Sequence, residues 1–318
     1  MRLKLVFSYD GSKFQGSQTQ PHENGVEDAL GAALAHVGIF SKIISSSRTD
    51  KGVHANNQVA CVECGEHFKD FTRLKALINC HAHPAIHVKF ISRAEDCFHP
   101  RYDATARAYR YVINHGEFSP FLAPYETFLP KFDVRLANEL LALFVGEHDF
   151  SAFMKLGSDI KSPVRRISKA FCYARGERSI IVFKANGFLR AQVRLMVASV
   201  LKALELAKNG KFRQTQAQEF KFECPEAANL RANLNKNSHD NILTKSHEGA
   251  NLTAEHAVCV ASKFDAKNSN LNEVANNCRD TNFLKAKELL HQAIYEQKAL
   301  TRIPAPPNGL YLNRVFYE

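Results

Sequence analysis

The chain has 318 residues, of which 45% are hydrophobic, and carries 42 basic against 32 acidic side chains for a formal charge of +10. That length accommodates about two domains, and the charge favours a polyanionic partner, with nucleic acid ahead of a membrane surface. No apolar run approaches the ~18 residues of a membrane span, and eight irregularly spaced cysteines fit reduced thiols in a cytosolic compartment better than a disulfide scaffold.

The first residues alternate as mature strand rather than secretory leader, with Leu3, Leu5 and Phe7 on one face over 2–8. Val26, Ala29, Leu30, Ala33, Leu34 and Val37 predict an amphipathic helix. Strands are expected near 42–46 and 57–64. A second helix is marked by Phe71, Leu74, Leu77 and Ile78, and a strand follows at 86–92. The order then repeats. A strand covers 107–114, a helix 134–144, and strands 166–174 and 178–185 flank the turn Arg175-Gly176-Glu177. Long helices are expected at 188–206 and 283–298, and a last strand at 310–317. The fold class is therefore α+β: two ferredoxin-like (RRM-like) βαββαβ halves, residues 1–105 and 106–318, whose antiparallel sheets flank a central cleft. Pro120, Pro124 and Pro130 give the connection 113–132 the composition of an interdomain linker.

Residues 229–282 differ from the rest. They hold twelve Asn, six basic and six acidic residues, and Phe264 as their one aromatic. So few large apolar side chains cannot offset the entropy of ordering the backbone. A mobile insertion is expected there, with one weak helix near 252–262. The whole +10 then falls on the other 264 residues.

Chemistry concentrates in Ser45-Ser46-Ser47-Arg48-Thr49-Asp50-Lys51-Gly52-Val53-His54-Ala55, whose small residues and Gly52 predict a loop between strands. Arg48 and Lys51 would favour the charged form of Asp50. The same pattern is also that of an ordinary basic turn with a capping Asp.

The stretch Arg48 to Ala55 resembles the G-R-T-D-x-G-V-H-A motif of the TruA family of tRNA pseudouridine synthases. Further blocks follow in that family's order: Tyr9-Asp10-Gly11 to Gly16, Phe98-His99-Pro100-Arg101 to Tyr111, Gly146-Glu147-His148-Asp149-Phe150, Ser162-Pro163-Val164-Arg165, Gly187-Phe188-Leu189 to Arg194, and Ala305-Pro306-Pro307-Asn308-Gly309-Leu310. They cover nearly the whole chain outside 208–284. Four positions depart from the pattern. Ser17 stands where the family usually has Trp, Ser47 where it has Gly, Lys51 where it has a small residue, and Gln192 where it has Met. Ser47 puts the loop's backbone at issue, because glycine tolerates a positive φ and serine does not.

The resemblance implies isomerisation of uridine to pseudouridine at positions 38, 39 and 40 of the tRNA anticodon stem-loop, without metal or cofactor, by a cytoplasmic homodimer. It implies that Asp50 is the catalytic carboxylate. Attack at C1′, addition to C6 and abstraction of the C2′ proton all remain open for it. It implies that Arg194 pairs with Asp50, that Tyr109 stacks on the uracil and handles a proton at the isomerisation step, and that Arg48 holds the target nucleotide out of the stem, since a base in a helix must be extruded before chemistry; a plain phosphate contact stays open for Arg48. Tyr111 reads as core. Lys51, Arg101, Arg107, Arg110, Arg165, Arg166 and Arg190 are candidate phosphate contacts; each alone reads equally as solvated surface charge. His54 reads as a packing residue. Two alternatives stay open: a non-catalytic RNA-binding protein on paired RRM-like sheets, and a zinc-dependent nucleic-acid protein using Cys61, Cys64, Cys80 and His83.

Overall fold

The structure is a computed structural model. It describes residues 1–209 except 20, 22, 23, 156 and 158–160, the backbone of 265–279, and residues 280–317. The first half runs β1 (Arg2–Tyr9), α1 (Val26–Ala35), β2 (Ile44–Ser45), β3 (His54–Glu63), α2 (Phe71–Ala82) and β4 (Ile86–Ala94). The second runs β5 (Ala106–Asn114), β6 (Thr127–Phe128), α3 (Val134–Ala142), β7 (Gly146–Asp149), β8 (Val164–Arg175), β9 (Arg178–Ala185), α4 (Gln192–Asn209), α5 (Asp265–Tyr295) and β10 (Leu310–Phe316).

Local chemistry sets the helix starts. Asp70 accepts from the Arg73 amide at 2.9 Å and Asp133 from the Arg135 amide at 2.7 Å, each satisfying a donor that the first helical turn leaves free. At α1 the Gly25 amide donates to the Asp28 carboxylate at 2.8 Å. In β1 the strict alternation buries Leu3, Leu5, Phe7 and Tyr9 and leaves the residues between them on the other face.

All ten strands join one sheet in the order β4-β1-β3-β10-β5-β9-β8-β7, with β2 on β3 and β6 on β5. In the first half β4, β1, β3 and β2 pair antiparallel in that order. In the second half β10, β5, β9 and β8 repeat it. The repeat accords with two βαββαβ units. The seam is the parallel pairing of β10 with β3, through Tyr311 beside His54 and Leu312 beside Ala55. One edge of β3 thus meets β10 at residues 54–55 and β2 at residues 60–61. The loop 46–53 leaves the sheet where that edge changes partner.

A lateral row crosses the seam: Tyr9, Ala55, Leu312, Tyr109 and Phe183, all buried. One step along, His54, Tyr311, Arg110, Val182 and Phe171 form a row on the opposite face. That face is more open, with Phe90 59% and Phe171 and Tyr173 each 40% exposed. The second half's core packs α4 against α5, with Met196, Val197, Val200 and Ala203 buried alongside Ala286, Leu290 and Ala293.

Three expectations change. The segment 113–132 is not an interdomain linker: it joins β5 to α3 within the second half, and its β6 pairs with β5. The helix expected at 283–298 begins at Asp265, so 265–282 belongs to α5 rather than to an unstructured insertion. No Gly or Pro interrupts 265–295, and helix propagation costs little once the apolar C-terminal turns are docked. The remainder of the expected insertion, including the weak helix near 252–262, lies outside the described residues. The helix expected from 188 starts at Gln192, after a turn in which Ala191 has a φ of 61°.

Candidate active site

The loop 46–53 is held from below and from both sides. The Ser46 amide donates to the Val59 carbonyl at 2.8 Å, and the Ser46 hydroxyl donates to the Gln58 side-chain oxygen at 2.7 Å. The Gln58 amide nitrogen donates to the Ser47 carbonyl at 2.8 Å. Tyr9 and Thr49 hydrogen-bond through their hydroxyls at 2.8 Å. Ser17 brackets Thr49: its hydroxyl accepts from the Thr49 amide at 2.9 Å, and its own amide donates to the Thr49 carbonyl at 3.1 Å. The Val53 amide closes a turn onto the Asp50 carbonyl at 3.1 Å, with Gly52 at a φ of 78°. Ser47 has an ordinary negative φ, so the serine in place of glycine does not strain this loop.

These ties present the Asp50 carboxylate, one third exposed, to the start of α4. There the Arg194 guanidinium, 16% exposed, places Nη1 at 3.5 Å from Asp50 Oδ2. Arg194 Nε donates to the Ala305 carbonyl at 2.6 Å, and the Ala305 amide returns a bond to the Arg194 carbonyl at 3.1 Å. The Arg194 side chain is therefore fixed by the segment before β10 and aimed at the loop before β3. Burial lowers its pKa, and the Asp50 charge opposes that shift. Gln192 prepares the helix start: its side-chain oxygen accepts from the Leu189 amide at 2.7 Å, and the residue is fully buried.

Tyr109 lies on the same sheet face, 7% exposed, with its ring edge-on to Phe188 at 5.2 Å. Burial pushes its phenol up to about 12; the Arg107 charge and a hydrogen bond with Ser47 act against that, and the Asp50 charge acts with it. Tyr111 is fully buried, as expected of a core residue, and its hydroxyl donates to the Pro306 carbonyl at 2.9 Å.

His54 points to the other face. Its Nδ1 accepts from the Gly11 amide at 3.0 Å, which leaves the ring proton on Nε2 to reach the Pro124 carbonyl at 2.9 Å. The ring stacks on Tyr311 at 4.7 Å, and burial lowers its pKa despite nearby Asp10. It packs, as the sequence suggested.

The candidate phosphate contacts divide into groups. Arg48, Lys51, Arg101, Arg166 and Arg190 are exposed. Arg165 is half-buried, with Nη1 donating to the Ser162 and Val164 carbonyls at 2.8 and 2.6 Å. Arg110 lies on the opposite face over Tyr311, away from Tyr109 by the strand's period of two. Arg107 is engaged inside the protein. Sequence reasoning passed over Ser17, Ser46, Gln58 and Thr49 as supports. The one available signal was a hydroxyl at position 17, beside the first motif.

The carboxylate and its arginine, from distant segments, meet at 3.5 Å, and the tyrosine is buried on strand β5. A family profile for tRNA pseudouridine synthase matches residues 5–103 and 140–221, more than half the chain and both sides of this site. The chain belongs to that family. It is accordingly a tRNA pseudouridine synthase, an isomerase. Among similar proteins, the tRNA pseudouridine synthase A of a Campylobacter jejuni strain is 52% identical over 219 residues, covering 69% of this chain and 90% of the relative. That of Helicobacter hepaticus is 38% identical over 235 residues, covering 71% and 94%. Among the described residues no group of three or more His, Cys, Asp or Glu side chains could hold a metal, so Cys61, Cys64, Cys80 and His83 do not converge. No described helix is long and apolar enough to cross a membrane.

Proposed function

We propose that this synthase converts uridine to pseudouridine at positions 38, 39 and 40 of the tRNA anticodon stem-loop, with Asp50 as the catalytic carboxylate. The observation that carries the assignment is the Asp50–Arg194 pair at 3.5 Å, formed by residues 144 apart in sequence. An acid that must act on the sugar or the base needs to be aimed, and a fixed guanidinium at 3.5 Å holds it in place. Arg48 is exposed two residues before Asp50 and enters the stem to hold the target nucleotide out. Tyr109 forms the floor on which the uracil stacks, an interaction worth roughly 1–3 kcal/mol for a base on an aromatic ring. Exposed Lys51, Arg101, Arg166 and Arg190, with Arg165, take up backbone phosphates. The protein acts in the cytoplasm as a homodimer with tRNA bound across both subunits.

The test uses tRNA tritiated at uracil C5, because forming the new carbon–carbon bond releases that tritium. Wild-type protein releases it, and Asp50→Asn does not while still binding tRNA. Folded wild-type protein that releases none from cognate tRNA would refute the reading. Substrates with uridine at only one of the three positions test the positional assignment.

A further inference from the structure

Arg107 was expected among the phosphate contacts, yet its half-buried guanidinium is taken up by bonds within the protein. Nε donates to the Ser47 hydroxyl at 3.1 Å and Nη1 to the Asn186 carbonyl at 3.0 Å. Nη2 donates to the Ser46 carbonyl at 3.2 Å and to the Arg101 carbonyl at 2.6 Å. Four of its five donors are thus taken, three by backbone carbonyls. Those carbonyls belong to the Asp50 loop, the turn before β5 and the segment between β9 and α4 that carries Phe188 and Arg190. The Ser47 hydroxyl accepts from Arg107, so the guanidinium holds both a side chain and a carbonyl of the Asp50 loop. Arg107 and Tyr109 are two residues apart on β5, so one strand delivers both the clamp and the stacking ring.

We propose that Arg107 is a positioning residue for the isomerisation, clamping the Asp50 loop to the strand that carries Tyr109, and not a phosphate contact. The inference rests on the catalytic assignment above. It adds a role for Ser47 specific to this chain, because a glycine there would supply no hydroxyl for Arg107 Nε. A lysine at 107 keeps the charge but not the planar fork, and can satisfy at most part of four divergent acceptors.

The experiment compares wild type, Arg107→Lys and Ser47→Ala with C5-tritiated tRNA, reading kcat and KM separately, and tRNA affinity at two salt concentrations. Arg107→Lys lowers kcat by about 30-fold or more, and Ser47→Ala by about 3- to 10-fold. Affinity and its salt dependence stay within about two-fold of wild type for both. Unchanged kcat in both variants overturns the proposal. So does weaker tRNA binding with unchanged kcat in Arg107→Lys, since that pattern marks a lost bidentate phosphate contact. Ser47→Ala removes one bond of the clamp and keeps the test decisive if Arg107→Lys fails to fold. A wild type that released no tritium would instead refute the catalytic reading itself.

Discussion

The pair between Asp50 and Arg194 gives the sharpest quantitative expectation. At 3.5 Å two unit charges attract by about 5 kcal/mol at an effective dielectric of about 20. Asp50 is one third exposed, and water screens it, so the coupling that survives is about 1–2 kcal/mol. Arg194→Met removes that coupling and also strips the Ala305 carbonyl of a charged donor held at 2.6 Å, an acceptor loss of about 1–3 kcal/mol. The single variant is therefore destabilised by about 2–5 kcal/mol, which for a chain of this size lowers Tm by roughly 3–7 °C. Activity falls about 100-fold or more, equivalent to about 2.7 kcal/mol of transition-state stabilisation. The pair itself is isolated by a double-mutant cycle of Arg194→Met and Asp50→Asn in urea unfolding. The cycle gives a coupling of about 1–2 kcal/mol, and the Asp50→Asn background shows no further loss of activity on adding Arg194→Met. A coupling within about 0.3 kcal/mol of zero would refute the reasoning, leaving Arg194 only as a clamp on the Ala305 carbonyl.

Other outcomes follow from the same contacts. His54 is buried neutral with its pKa lowered, so it contributes stability that is present above about pH 6.5 and lost as pH falls through the folded value; acid unfolding of His54→Gln against wild type measures the difference. The Tyr109 phenol, pushed up to about 12, stays protonated at neutral pH, and its share of stability is lost between about pH 10 and pH 12. Subtracting the ultraviolet phenolate titration of Tyr109→Phe from that of wild type isolates its midpoint. Ser17→Ala orphans the Thr49 amide and costs about 1–2 kcal/mol in denaturant melts, with kcat reduced more than tRNA affinity. Gly11→Ala would place a Cβ 2.1 Å from the Val53 carbonyl oxygen, so it yields little folded protein, judged by soluble expression and a melt.

The strands and helices were legible because their signals are local. The alternation of Leu3, Leu5 and Phe7 and the apolar stripe from Val193 to Leu204 each reflect one buried face, which periodicity reports directly. The seam was not legible. The pairing of β10 with β3 joins residues more than 250 positions apart through only two register pairs, and no local pattern encodes it. The extension of α5 back to Asp265 was missed for a different reason. Low apolar content argues against independent burial, but not against a helix that grows outward from turns already docked on α4.

The site shows the same division. Family resemblance singled out Asp50, Arg194 and Tyr109, but charge alone could not sort the arginines. Arg48, Arg107 and Arg110 have the same formal charge. The first is exposed, the second donates four hydrogen bonds inward, and the third faces the opposite side of the sheet. Strand parity separates Arg110 from Tyr109 in principle, yet it groups Arg107 with Tyr109 without saying that carbonyls await it there. Those carbonyls come from loops whose approach depends on the seam. The +10 of the chain is therefore not a measure of its RNA-facing charge. Part of it, at Arg107 and Arg194, is spent on the geometry of one loop, and only the exposed remainder is free to meet phosphate.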